Sequence, residues 1–125
     1  MVFDTDILIW IQRGNPRAAR LLERSPERSI SLQSYLELLQ CAKGKPQQKA
    51  AKDFIRSFGI QVLPLTENIG HRASIYIEQF SLSGGLRAGD AIIAATAVEN
   101  GLPLCSSNAK HYKRLPDLDF KAFKP

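Results

Sequence analysis

Four carboxylates stand where carboxylates are costly. Asp4 and Asp6 lie one residue apart in VFDTDILIW, within an otherwise apolar stretch. Glu37 falls inside SYLELLQ, and Asp90 opens DAIIAATAV. Acids gathered in one place repel each other unless a cation or hydrogen-bond donors compensate. Oxygen donors of this kind suit a hard divalent ion, chiefly Mg²⁺ or Mn²⁺. Zinc is disfavoured: His71, His111, Cys41 and Cys105 are isolated and show no ligand spacing.

Each acid also has a plain structural explanation. Ser34 precedes Glu37 at the S-x-x-E spacing of a capping box, so Glu37 alone reads first as a helix cap. Asp90 suits the start of the alanine-rich helix that follows it, as a cap near the positive end. Asp4 at a strand end can satisfy turn amides. Asp6, two residues on, is expected on the same side as Asp4 if the strand continues through it. The joint pattern is stronger than any single residue: several acids sit at expected strand ends, where open parallel sheets place their sites.

The elements that must gather these residues can be traced along the chain. MVF begins a first strand that runs on toward ILIWI. Asn15 and Pro16 cap and open a short helix ending near Arg24. SISL reads as a second strand. QSYLELLQCAKGK is helical, with an apolar side of Leu36, Leu39 and the Leu38/Cys41 pair, and Gly44 as its stop. KPQQKAAKDFIRSF is amphipathic, with Ala51, Phe54, Ile55 and Phe58 on one face. IQVLPL is a third strand. TENIGHRASIYIEQF is a helix capped by Thr66. SLSGGLRAG is a glycine-rich loop, followed by the DAIIAATAVENG helix. LPLCS is a fourth strand, SNAKHYKRLP a turn or short helix, and DLDFKAFKP a weak terminal strand.

Strands alternating with helices imply an α/β fold, with a mostly parallel sheet of four or five strands between two helical layers. At 125 residues the chain is read as one domain spanning 1–125, without internal repeats. Hydrophobic residues at 44% and charged residues at 23% exclude general disorder. The two cysteines are expected to be buried, reduced thiols. The N-terminal residues do not resemble a signal peptide, and no apolar run reaches the roughly 20 residues of a membrane span. The expected setting is cytoplasmic. Seventeen Lys and Arg against twelve Asp and Glu give a net charge of +5, which favours polyanionic partners such as RNA or DNA.

Two families resemble the opening. DTDIL is similar to the D-x-D motif of haloacid-dehalogenase-type phosphatases. That match stops at Ala94, where a second acid is expected four residues after Asp90, and at Leu8 two residues after Asp6. The broader resemblance is to PIN-domain ribonucleases, specifically the VapC toxins of VapBC toxin–antitoxin modules. VFDTDILIW resembles their opening D-T-[NDS]-h-L-I, SYLELLQCAKG the segment with the second acid, and LRAGDAIIAATAVENGLPLCSSN their most characteristic stretch. The resemblance covers nearly the whole chain.

It implies a three-layer α/β/α PIN-like fold and an endoribonuclease, with Asp4, Glu37 and Asp90 as catalytic acids around Mg²⁺ or Mn²⁺. Hydrolysis would use a metal-activated water on RNA, with transfer RNA or ribosomal RNA loops as expected targets. Thr5, Ser106 and Asn108 are expected to support the acids without holding the ion. Family members often carry T-x-N-x-[KR]-[DH]-[FY] after the fourth strand, with a further acid next to the last place. This chain has SSNAKHY, so His111 fills that place and is expected to pack or meet backbone. Asp6 becomes a candidate auxiliary ligand.

Arg87, Lys110, Lys113 and Arg72 are the expected RNA-phosphate contacts. Trp10 is expected in the core, while Tyr112 is left open between packing and base stacking. The resemblance further implies a homodimer formed through helices of the first half, and a VapB-type antitoxin as partner. The apolar side of residues 35 to 55 is the candidate surface for that partner. A non-cleaving PIN fold that binds RNA or protein is the remaining alternative.

Overall fold

The computed structural model describes residues 1–125. Five strands form one parallel sheet: β1 (Val2–Phe3), β2 (Ser29–Ser31), β3 (Gln61–Leu63), β4 (Leu104–Ser106) and β5 (Phe120–Ala122). Their order is β3-β2-β1-β4-β5. Seven helices connect them: α1 (Thr5–Gln12), α2 (Pro16–Arg24), α3 (Leu32–Cys41), α4 (Lys45–Ser57), α5 (Glu67–Gly84), α6 (Ala88–Glu99) and α7 (Ala109–Tyr112). The α/β class and the parallel sheet agree with the alternation in the sequence. The terminal segment does pair, with Leu104 opposite Phe120 and Ser106 opposite Ala122.

Alternating side chains of the central strands feed two cores, one on each face of the sheet. Val2 and Leu104 are paired, and both are buried with Ile69, Ala73, Tyr76 and the α6 residues Ala91, Ile93, Ala94 and Ala97. Phe3 and Cys105, the next pair, belong to the opposite core with Ile7, Leu8, Leu22, Ile30, Leu38 and Ile55. The alanines of α6 have no side chain beyond Cβ to hold neighbours away. They let the middle of this helix, from Ala91 to Ala97, pack closely against α5 and the sheet.

Three local expectations change. The opening strand ends at Phe3, and DILIW is helical. Asp4 has extended backbone, and its Oδ1 accepts from the Thr5 N–H at 2.8 Å as the helix cap. Ile7, Leu8 and Ile11 then follow helical spacing toward the core, a pattern that a short apolar run cannot distinguish from a strand. Asp6 therefore sits in the first turn of α1, not on a strand face beside Asp4. Glu37 is not part of a capping box either. Ser31 caps α3, accepting from the Ser34 N–H, which leaves Glu37 one turn inside the helix. Asp90 lies at the third position of α6 rather than at its cap, which is Arg87.

Other shifts are smaller. The inward side of α3 is Ser34 and Leu38, one helical turn apart, so Leu36 is 48% exposed and Cys41 lies at the surface. Only Cys105 is the buried thiol expected of both. Helix α5 consumes the first part of the glycine-rich stretch and ends where Gly85 adopts φ 70°, a left-handed conformation suited to glycine. No helix is long and apolar enough to cross a membrane.

Candidate functional site

From β1 the chain builds outward to β2 and β3, then returns to place β4 on the other side of β1. Strand order reverses between β1 and β4, and the crevice beyond their carboxyl ends is the expected site in an open parallel sheet. Asp4 follows β1 and Ser106 ends β4, so the backbone delivers both to that crevice.

Asp4 is 4% exposed and is held by three donors. Its Oδ1 takes the Thr5 N–H; its Oδ2 takes the Ser106 hydroxyl at 2.7 Å and the Tyr112 hydroxyl at 3.1 Å. Burial, then the neighbouring Asp6 charge, outweigh those donors and push the Asp4 carboxyl up from 3.8 to about 7. The acids of this pocket are thus under electrostatic stress.

Tyr112 joins Asp4 to Asp90. Its oxygen also lies 3.4 Å from Asp90 Oδ1, so a single phenolic proton faces two carboxylates. Burial, then the charges of Asp4 and Asp90, drive this phenol well above its ordinary range, keeping it a neutral donor. Tyr112 is completely buried and packs against Phe120 at 5.7 Å between ring centroids, so it has no face open to a base. The second Asp90 oxygen meets the Arg87 N–H at 3.4 Å and lies 3.0 Å from His111 Nδ1. His111 thus touches a site carboxylate instead of backbone or core.

Glu37 approaches from α3. Its Oε2 is 3.3 Å from the Thr5 hydroxyl, and its Oε1 is 3.5 Å from Gln33 Nε2. The Thr5 hydroxyl is also 2.9 Å from Ser34 Oγ, so its one proton serves either partner. Partial burial raises the Glu37 carboxyl above its ordinary range. Gly89, beside Asp90, allows α6 to approach α3: a Cβ there would stand 3.2 Å from Gln33 Nε2 and 3.5 Å from Glu37 Oε1.

Asp6 has a different use. Its Oδ2 accepts from the Ser107 N–H at 2.9 Å and from the Ser107 hydroxyl, tying α1 to the turn after β4. Its Oδ1 is buried without a hydrogen-bond partner. Thr5 and Ser106 each hydrogen-bond one of the acids. The Asn108 side chain does not: it is the Asn108 backbone N–H that donates to Ser106 Oγ, at 2.9 Å. Burial, followed by the Asp6 and Asp4 charges, pushes the Cys105 thiol up to about 12, so it is no nucleophile.

No three His, Cys, Asp or Glu side chains converge as a ready-made metal cage. That is compatible with Mg²⁺ or Mn²⁺. Mg²⁺ usually takes one or two carboxylates and completes its octahedron with water and substrate phosphate. Asp4 and Asp90, linked through one hydroxyl, supply such a pair, and the stressed Asp4 carboxylate is the group a cation would relieve. The donor set fits the ion.

Among the expected phosphate contacts, Arg87, Lys110 and Lys113 are exposed around the start of α6 and along α7, flanking Asp90 and His111. Arg72 is elsewhere. Its guanidinium bonds Glu99 at 2.5 Å and Asp117 at 2.7 Å, clamping α5 to the end of α6 and the turn before β5. These partners neutralise it, so it is removed from the RNA contacts. Trp10 is partly buried, with the Arg13 guanidinium 5.8 Å from its ring centroid. Beside Glu37, α1, α3 and α4 enclose an open, largely apolar groove of about 440 Å³, lined in part by Ile9, Leu38, Cys41, Ala51 and Phe54. Sequence reasoning missed Gln33, Ser107 and Gly89, and it had no signal for the Tyr112 hydroxyl beyond its place after His111.

Comparison with known proteins agrees with this fold. A family profile described as PIN domain matches residues 1–118. A toxin–antitoxin complex from Klebsiella pneumoniae contains a similar chain: TM-score 0.78, 28% identity, covering 94% of this chain and 93% of that one. VapBC2 from Rickettsia felis, solved with a promoter DNA fragment, gives TM-score 0.78 at 21% identity, covering 99% and 100%. VapBC-1 from nontypeable Haemophilus influenzae gives 0.76 at 23%, covering 98% of each chain. No curated protein matches the sequence.

Proposed function

This chain belongs to the PIN domain family, and we propose that it is the toxin of a VapBC-type module, a Mg²⁺- or Mn²⁺-dependent endoribonuclease built on one domain. The observation that carries the reading is the junction of Asp4 and Asp90 on the Tyr112 hydroxyl, at the point where strand order reverses. The dehalogenase-type alternative fails on the family match.

Asp4 and Asp90 would hold the ion, with Glu37 facing them from α3. The bound ion would offset the crowded negative charge, neutralise charge on the scissile phosphate and acidify an attacking water. The remaining work belongs to the chain. Ser106 and Tyr112 fix Asp4 Oδ2, while Thr5 and Gln33 fix the Glu37 carboxylate. Asp4 gives up the proton it holds near neutral pH when the pocket is loaded, so loading improves as pH rises through about 7. Asp6 anchors the turn that presents Ser106, and is a structural residue in this account.

Arg87, Lys110 and Lys113 would draw the RNA backbone toward an otherwise repellent acidic pocket. A VapB-type antitoxin would seat apolar side chains in the groove between α1, α3 and α4, which opens beside Glu37 and lets one partner block the acids. A homodimer and a cytoplasmic setting complete the proposal.

The test is cleavage of structured RNA by the purified protein with Mg²⁺ or Mn²⁺, beside Asp4→Asn and Asp90→Asn. Cleavage that stops in chelator and in both variants is expected. Undiminished cleavage in both variants would defeat the site. Tight binding of RNA that stays intact under every ion would favour the non-cleaving alternative.

A further inference from the structure

The surroundings of His111, beside Asp90 at the start of the last crossover, are unusual. Nδ1 is buried and has no hydrogen-bond partner, although Asp90 Oδ2 is only 3.0 Å away. The two atoms are close enough to bond but not aligned to do so. An imidazole with a carboxylate at that distance would ordinarily turn its N–H onto the oxygen.

The same distance has another meaning. Two ligands on adjacent corners of an octahedral ion, with bonds of about 2.1 Å, lie about 3.0 Å apart, and each points at the ion instead of at the other. Resting on the reading of Asp90 as an ion ligand, we propose that His111 Nδ1 is a nitrogen ligand to that same ion. The pocket then prefers Mn²⁺ and other first-row transition ions to Mg²⁺. Imidazole nitrogen is a good donor to transition ions, whereas Mg²⁺ strongly prefers oxygen. An acid in this position would keep the donor set all-oxygen; histidine does not. Among the nitrogen-bearing side chains next to Asp90, only His111 can donate a lone pair to an ion. Tyr112 is committed to Asp4 and Asp90, and Lys110 and Lys113 are exposed cations.

Pulsed electron paramagnetic resonance of the Mn²⁺-loaded full chain reads nitrogen ligation directly, without reference to activity. The expected result is a ¹⁴N coupling of a bound imidazole, retained in His71→Gln and lost in His111→Asp. His71, the only other histidine, is exposed on α5 and lines a different pocket with Arg72. Calorimetric titration of Mn²⁺ and Mg²⁺ should show the Mn²⁺-to-Mg²⁺ affinity ratio falling about tenfold or more in His111→Asp. Mn²⁺ binding that Asp90→Asn abolishes, but with no ¹⁴N coupling and an unchanged ratio in His111→Asp, would overturn this inference alone. Mn²⁺ binding indifferent to Asp90→Asn would overturn both this inference and the metal reading beneath it.

Discussion

Replacing Asp4 with asparagine removes a buried charge while keeping the shape of the side chain. The native carboxyl sits at about 7 instead of 3.8, because burial and Asp6 oppose its ionisation more than its three donors favour it. A raised carboxyl makes the folded protein hold a proton that the unfolded chain has already released. Its contribution to stability is therefore greatest below about pH 4 and declines as pH rises toward 7. At 1.36 kcal/mol per pH unit, the rise from 3.8 to about 7 amounts to about 4 kcal/mol, a large part of a small domain's stability.

Asparagine resembles the protonated acid, with one acceptor and one donor end. At pH 4 the variant and the parent should agree within about 1 kcal/mol, the scale of one altered hydrogen bond. At pH 8, in chelator, the variant should be the more stable by about 3–4 kcal/mol. Urea denaturation at pH 4, 6 and 8 measures this difference. A variant destabilised equally at all three values would mean that Asp4 carries its charge without penalty, and the electrostatic reasoning about the pocket would be wrong.

Other perturbations separate the parts of the site. Tyr112→Phe keeps the packing on Phe120 but deletes the hydroxyl between Asp4 and Asp90. Fold stability should drop by about 1–2 kcal/mol and Mn²⁺ affinity by about 10-fold or more, read by denaturation and calorimetry. Gly89→Ala should lower RNA cleavage by pushing the Gln33 amide off Glu37, while thermal stability stays level or rises slightly because alanine favours the helix. Arg72→Met should cost about 1 kcal/mol of stability and leave RNA affinity unchanged at fixed salt. By contrast, Lys110→Ala and Lys113→Ala should each weaken RNA binding and lower its salt dependence by about one phosphate contact.

The alternation of strands and helices was legible from punctuation that acts locally. Asn15-Pro16, Thr66 and the alanine run after Asp90 each specify an element within a few residues. The opening reads as a strand in sequence because its nine mostly apolar residues with two acids satisfy strand and helix patterns alike, and only the cap at Asp4 decides. Asp4, Glu37 and Asp90 could be grouped because a parallel sheet brings strand ends and helix starts to one edge, and their roles were implied by the family resemblance. Their supporting residues could not. The partners of Arg72 are 27 and 45 residues away, and the Tyr112 bond to Asp4 spans 108, so no local pattern distinguishes a clamped arginine from a phosphate contact or a buried phenol from a stacking one. Asp6 shows the same limit: its partner Ser107 lies 101 residues on, across the junction of β1 and β4.

A divalent ion on Asp4 and Asp90, in the crevice between β1 and β4, is what the proposed function requires above all. Crystals soaked in Mn²⁺ and measured for anomalous scattering test it most directly. The expected result is a Mn²⁺ peak within bonding distance of both carboxylates, absent from Asp90→Asn crystals soaked alike. A saturating soak with no peak there, or with the ion bound only elsewhere on the surface, would contradict it.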